Sequence, residues 1–453
     1  MLAAARTFTV DGVAAREVRV EVDVHRGLPA FSIVGLPDAA VRESRERVRA
    51  ALVNCGFEFP LRRITVNLAP ADVPKAGPGL DLATAAALLA ASGQLPSEPD
   101  DRLALTGELA LDGSVHPVAG VLAMAQAAHA AGILRLAVAA GNGPEAAAIE
   151  DLSVLAVNRL DEVPGLLSGE LTPPPPRPLS LVGDPAAGPD LAELRGQPSL
   201  RRALEVAAAG GHSLLMVGPP GAGKSLAARR LPSIMPPLER DEALEVAKIA
   251  SVAGRLNGTR QISRPFRAPH HTISCAGLVG GGNPPRPGEV TLAHRGVLFL
   301  DELGEFRRDA LESLRAPLEE GSVTVARAGR AVELPCRFML VAAANPCPCG
   351  RGSDDEQCRC GPLALRRYAA KLSGALADRV DIRIGVHQPS PESMQGEPGE
   401  LSSEVRERVL VARGRQGARL GAGRCNAEMS PRELRHLRID RRGQALLAVT
   451  SKS

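Results

Sequence analysis

Ser213-Leu-Leu-Met-Val217 runs directly into Gly218-Pro219-Pro220-Gly221-Ala222-Gly223-Lys224-Ser225, an octapeptide that fits G-x-x-x-x-G-K-[ST] at every fixed position. The glycines let the backbone curl until successive N–H groups point at one anion. Ser225 to Leu231 reads as the start of a helix, whose dipole adds positive potential at the same place. In such a site Lys224 would reach the β- and γ-phosphates, and the Ser225 hydroxyl would ligate Mg2+. A mere Gly-rich turn needs neither the lysine nor the flanking strand and helix.

A second stretch completes the expectation. Gly296-Val-Leu-Phe-Leu-Asp301-Glu302 is an apolar strand ending in two acids. Asp301 would orient the Mg2+ water shell and Glu302 would polarise an attacking water, which favours ATP hydrolysis over transfer to a small substrate. No Asn-Lys-x-Asp motif for guanine is present, which counts against GTP. Phe338 to Ala343 reads as another buried strand, and Asn345 at its end is placed to hold the water against the γ-phosphate. A lone Asn there also suits a turn, so its role depends on the other two motifs. Repeated strands and helices around a phosphate loop imply a parallel sheet with helices on both faces.

At 453 residues the chain is long enough for two or three domains. The Pro-rich run Leu171 to Pro178 cannot enter a helix or a central strand, so residues 171–190 are expected to be an extended linker. Before it, β-like runs (Val18 to Val24, Ile64 to Leu68, Leu134 to Val138) alternate with Ala-rich helical stretches (Asp81 to Ala91, Val121 to Ala131), an α+β or α/β mixture. A softer boundary near Pro389 to Gly399 precedes an Arg-rich helical pattern.

Net charge is only +3, but its distribution is uneven. Residues 254–295 hold six Arg against Glu289 alone, a local net of +5, with His270, His271 and His294. Residues 401–442 hold eleven Arg against five acids, a local net of +6. Each is either a solvated face or a surface for a polyanion. Eight Phe and one Tyr leave few rings for base stacking, so a nucleic-acid contact would be mainly electrostatic. The N-terminal stretch lacks the apolar core of a signal peptide and no run spans a bilayer, so a cytoplasmic protein with no membrane partner is expected. In a reducing compartment the eight Cys suit free thiols or a metal.

With these residues in hand, the chain resembles the YifB/ComM family of magnesium-chelatase-like AAA+ ATPases. The matching stretches are Arg195-Gly-Gln197, the phosphate loop, RPFRAPHHTIS (Arg264 to Ser274), Gly280 to Gly282, RPGEVTLAHRGVLFLDEL (Arg286 to Leu303), AANPCPCG (Ala343 to Gly350), LSGALADRVDI (Leu372 to Ile382) and GLPDAAVRESRERVRAAL (Gly35 to Leu52). The resemblance implies a homo-oligomeric ring, a hexamer, with ATP between subunits. It makes Arg379 similar to the arginine finger given to a neighbour's γ-phosphate, although a salt bridge to Asp378 or Asp381 would explain the residue as well. It likens the 254–295 segment to a pore insertion, and thus to a DNA contact, as in family members that drive branch migration.

The first domain resembles the proteolytic domain of Lon, a ribosomal-protein-S5-like fold, through Lys75-Ala-Gly-Pro-Gly79 and the run Thr106 to Gly120. Gly79 stands at the serine position and Leu122 at the lysine position, so a scaffold without peptidase activity is expected. The resemblance also implies lid helices beyond this chain's end. The closing Ala-Val-Thr-Ser-Lys-Ser fits no family pattern, so a partial lid with weakened turnover is expected.

Cys347-Pro-Cys349 and Cys358-Arg-Cys360, separated by eight residues, put four thiols on one short polar loop, which suits structural Zn2+ and leaves free thiols as the alternative. The fold class expected is α/β: a P-loop AAA+ domain (191–390, parallel sheet flanked by helices), preceded by an α+β Lon-protease-like domain (1–170) and the linker, and followed by a partial helical lid (391–453). Three functional readings follow: an ATP-driven motor on DNA, a magnesium-chelatase-type ATPase subunit driving metal insertion, and a nucleotide-binding scaffold that does not turn over.

Overall fold

The computed structural model describes all residues except 96–99, 184–187, 257, 260, 283–284, 328–329, 353–356, 373–375, 438 and 451–453. Parts of the linker, the four-cysteine loop, the basic segment, the Leu372 to Ile382 motif and the chain's last residues therefore lie outside the described residues. The chain forms two compact units: Met1–Asp184 with Pro237–Leu298 and Arg307–Phe338, and Pro185–Pro236 with Phe299–Phe306 and Met339–Ser453.

The first unit is built on a seven-stranded mixed sheet, in the spatial order 30–34, 63–69, 14–25, 2–11, 103–106, 135–139, 153–157. Its central strand Ala14–His25 shows why. Val18, Val20, Val22 and Val24 are buried while Arg19, Glu21 and Asp23 face the other way, the period-two alternation that fixes register. Val20 pairs with Ala5 on one side and Leu68 on the other, both antiparallel. Helix Asp81–Ala91 (DLATAAALLAA) is buried at every residue and lies against this sheet. A helix without a polar face is stable only inside a core.

One charge accompanies it. Asp81, fully buried, accepts 2.6 and 3.1 Å hydrogen bonds from the Arg47 guanidinium on helix Ala39–Asn54. The carboxylate also sits in the first turn of its own helix, where the dipole favours it.

Residues from between the two nucleotide motifs also fold into this unit. Helix Arg240–Val252 packs on helix Val121–Ala130. There the Ser251 hydroxyl donates to Glu145 (2.6 Å) and accepts from the Leu122 N–H (3.3 Å). Gly120 donates its N–H to the Ser251 carbonyl, and a Cβ on Gly120 would fall 2.4 Å from Val10. Burial raises the Glu145 carboxyl pKa. Leu179 and Leu181, just past the prolines, are buried in the same core, so that end of the Pro-rich segment is packed.

The second unit carries the parallel sheet with helices expected of a P-loop AAA+ fold. Leu214–Val217 lies between Met339–Ala344 and Ile382–Gly385, parallel to both, and the end of strand Val297–Leu300 flanks Met339–Ala344. The 339–344 strand is buried throughout, as a central parallel strand must be. Helix Ser402–Leu420 packs on Pro198–Gly210 and Lys224–Ile234. It is held by Ser402, whose hydroxyl lies 2.6 Å from the Leu191 N–H and 2.8 Å from Ser233 Oγ, with both groups buried. No described helix is long and apolar enough to cross a membrane.

Burial outweighs Arg47 and pushes the Asp81 pKa up to about 6. The folded state therefore holds this proton more tightly than the unfolded chain. Its contribution to stability is greatest below pH ~4 and declines as pH rises towards ~6. Chemical denaturation of wild type and Asp81→Asn across that window is expected to show wild type losing roughly 1–3 kcal/mol relative to the variant, with a flat difference above it.

Candidate functional site

The 214–217 strand delivers the chain to a loop that passes close beneath a neighbouring segment. A Cβ on Gly218 would lie 2.1 Å from the Val386 carbonyl oxygen, so a side chain is excluded there. Gly221 and Gly223 adopt φ of +77° and +86°, the left-handed region that glycine enters at least cost. Gly223 then starts helix Lys224–Ile234. The curl and the helix N-terminus are thus both fixed by backbone, and Pro219, Pro220 and Ala222 complete it.

Lys224 is buried, and its Nζ donates to the carbonyls of Gly218 (2.6 Å) and Pro219 (2.9 Å) and to Asn345 Oδ1 (3.3 Å). Burial lowers its pKa, and the charges of Asp301 and Glu302 oppose that shift. Ser225 Oγ donates to Asp301 Oδ2 at 2.6 Å. Side chains that are 121 and 76 residues apart thereby meet the loop at its two consecutive polar residues. Hard oxygen donors from Ser225 and Asp301 suit Mg2+, and an ammonium at the start of helix Lys224–Ile234 suits phosphate.

Glu302 is exposed and stands at φ +53°, ψ +50°. A non-glycine residue there costs about 1 kcal/mol. Its N–H donates to Asp301 Oδ1 at 3.0 Å, so the same turn that aims one acid presents the next.

Helix Pro362–Leu372 supports both halves of the site, and sequence reading missed it. Tyr368 donates its hydroxyl to the Asn345 carbonyl at 3.0 Å. Lys371 Nζ donates to the Gly304 carbonyl at 2.9 Å. The Tyr368 ring lies on Gly304, where a Cβ would come within 2.4 Å of it. Gln388 Nε2 bonds the Pro220 carbonyl (3.1 Å), and Gln197 Nε2 bonds the carbonyls of His387 (2.5 Å) and Ala222 (3.3 Å). The lone tyrosine of the chain was the one available signal.

Arg379 is exposed at the end of the short turn Ala377–Arg379. Asp381, one of its candidate partners, accepts from the Ser213 N–H (2.9 Å) and lies 3.4 Å from His212. Cys347, Cys349, Cys358 and Cys360 do come together, with all four Sγ atoms within 4.8 Å of one another.

In the first unit, the basic segment is largely compensated from within. Arg267 makes a bidentate pair with Glu289 (2.6 and 2.8 Å), and Arg295 bonds Glu245 and Glu242 (2.8 and 3.2 Å). Buried His294 bonds Glu245 through Nε2 and accepts the Arg337 N–H at Nδ1, which assigns its proton to Nε2. Burial lowers its pKa despite that carboxylate. Arg255 and Arg286 are exposed, and Arg260 lies outside the described residues. Gly79 and Leu122 are both buried, and the space beside Gly79 is taken by Thr106, Val118 and Met124.

If the 362–372 helix sets the position of Asn345, Tyr368→Phe is expected to lower ATP turnover about fivefold while leaving the fold intact, since one hydrogen bond is worth about 1 kcal/mol. Gly304→Ala is expected to displace the ring and cost more than Tyr368→Phe. Steady-state ATPase assays with thermal denaturation as the control separate the two effects.

The chain is similar to known proteins over most of its length. Residues 190–394 match the family described as magnesium chelatase, subunit ChlI, and residues 20–142 match one described as subunit ChlI of Mg-chelatase. The uncharacterized protein Rv2897c of Mycobacterium tuberculosis is 46% identical over 436 residues, covering 95% of this chain and 86% of that protein. The uncharacterized protein YifB of Escherichia coli is 43% identical over 427 residues, 94% of this chain and 83% of its own length. The competence protein ComM of Haemophilus influenzae is 42% identical over 432 residues, 93% and 84% of the two chains. With such identity running through both units, this chain belongs to the YifB/ComM family of magnesium-chelatase-like AAA+ ATPases.

Proposed function

We propose that this chain hydrolyses ATP and uses the energy, as a ring of identical subunits, to move along DNA. The observation that carries the hydrolytic part is the convergence of Ser225 with Asp301 and of Lys224 with Asn345 around one Gly-rich loop. In this reading the loop N–H groups and Lys224 bind the β- and γ-phosphates. Ser225 and Asp301 would hold Mg2+, which would supply charge neutralisation on the phosphate oxygens. Glu302 takes the proton of the attacking water, and Asn345 orients that water. Arg379 from a neighbouring copy spreads the charge that builds on the transferred group, which its exposure permits.

The DNA part is supported by a relative named as a competence protein and by exposed arginines of the 254–295 segment. Since Arg267 and Arg295 already serve carboxylates inside the first unit, Arg255 and Arg286 are the residues that would meet phosphates. Backbone contacts of that kind carry affinity and no sequence preference. The first domain then acts as a scaffold with no peptidase activity. A second reading, an ATPase subunit that drives metal insertion, is favoured by the two matches described as ChlI.

Glu302→Gln is expected to keep ATP binding and lose turnover by at least about a hundredfold. Lys224→Ala is expected to lose binding. Turnover of the wild type is expected to rise with single-stranded or branched DNA at low salt. Arg255→Ala and Arg286→Ala are each expected to reduce the salt slope of DNA binding by about one. ATP turnover that ignores DNA, with no salt-dependent binding, would favour the second reading.

A further inference from the structure

The four-cysteine loop adjoins the nucleotide site, and nothing in that site's chemistry uses it. Its geometry is specific. Sγ of Cys347 lies 3.2 Å from that of Cys349 and 3.8 Å from that of Cys358, and the Cys349–Cys358 separation is 3.7 Å. Cys360 falls within the same 4.8 Å sphere. Four thiolates each about 2.3 Å from a single ion stand about 3.8 Å apart at the corners of a tetrahedron. Cysteines that bind different irons of a polynuclear cluster must spread more widely.

The backbone is shaped for the same purpose. Gly350 and Gly352, with φ of +85° and +107°, fold the chain back behind the first two cysteines. The Gly350 N–H donates to the Cys347 carbonyl at 2.9 Å, and the Gly352 N–H points at Cys347 Sγ at 3.2 Å. An N–H aimed at sulfur favours the thiolate that a metal needs.

This knot has two contacts with the catalytic apparatus. Cys347, fully buried, is two residues from Asn345, whose side chain meets Lys224. On its other flank, a Cβ at Gly350 would sit 2.9 Å from the Pro220 ring of the phosphate loop, so the knot's backbone lies directly on that loop. Tyr368 holds Asn345 by its carbonyl from one side. The cysteine knot holds the segment from the other.

We propose that Cys347, Cys349, Cys358 and Cys360 bind one Zn2+ in a closed tetrahedral site, and that this metal knot positions Asn345 and Pro220 for turnover without touching the substrate. Only the second half rests on the ATPase reading. Cys347 is the ligand through which the metal acts, as a positioning residue. The other cysteines of the chain (Cys55, Cys275, Cys336 and Cys425) lie outside the cluster.

The full chain, purified without chelator, is expected to carry one zinc by elemental mass spectrometry, and Cys358→Ser with Cys360→Ser is expected to lose it. Cys425→Ser is the control that keeps it. Wild type reloaded with Co2+ is expected to give thiolate-to-cobalt charge-transfer bands, which needs no variant to fold. Less than stoichiometric zinc, iron in its place, or a cobalt spectrum without those bands would overturn the site. Zinc is then extracted from folded wild type with a mercurial, the thiols are restored with dithiothreitol, and half the sample is reloaded. The zinc-free half is expected to lose about tenfold in kcat, with recovery in the reloaded half. Equal kcat in the two halves would overturn the coupling. Affinity for a fluorescent ATP analogue, read on both halves, is expected to fall without zinc, and it tests the coupling even where turnover is absent. Lys224→Ala, expected to be zinc-replete and inactive, keeps failure of the ATPase reading distinct from failure of the metal site.

Discussion

An ammonium withdrawn from water has to be satisfied by its surroundings, and the second unit is arranged around meeting that need for Lys224. It donates two hydrogen bonds to the loop it belongs to and a third to Asn345, at the end of the neighbouring strand Met339–Ala344. Desolvation works against the charge, and Asp301 and Glu302 work for it. A buried cation held by weakly committed carbonyls is in a state that an incoming anion improves, because phosphate oxygens offer better partners than amide oxygens. The parallel sheet brings the four residues together by ending Leu214–Val217, Val297–Leu300 and Met339–Ala344 at one edge.

Beyond these residues lies a layer that supports them through backbone carbonyls. Tyr368 and Lys371 tie one helix to the backbone on either side of the acids, at the Asn345 and Gly304 carbonyls. Gln197 and Gln388 hold carbonyls of the phosphate loop itself. The pattern is consistent: side-chain donors reach backbone acceptors of the loop. The cysteine knot fits the same scheme, fixing the peptide just past Asn345.

The phosphate loop could be read from sequence because its chemistry is local: the strand, glycines, lysine and helix are contiguous. Asp301 and Glu302 were legible for the same reason, being the end of one apolar run. Strand Ala14–His25 and helix Asp81–Ala91 announce themselves through alternation and uniform apolarity. The supporting helix was not legible, since Tyr368 and Gly304 lie 64 positions apart and only packing joins them. Charge was the least legible quantity. The basic segment counts to +5 along the chain, yet Glu242 and Glu245, on the helix before it, neutralise Arg295 in space. Sequence windows sum charge in one dimension, while desolvated pairs form in three. The Pro-rich segment misleads in a similar way: prolines exclude regular structure, but Leu179 and Leu181 immediately beyond them are in a core.

We propose that Ser225 and Asp301 meet in order to hold a divalent ion on a phosphate. The dissociation constant for ATP, measured with Mg2+ and with EDTA in wild type and in Asp301→Asn, decides it. Mg2+ is expected to tighten binding in the wild type, and the substitution is expected to remove most of that gain while leaving metal-free binding in place. Equal affinity with and without Mg2+ in the wild type would contradict it.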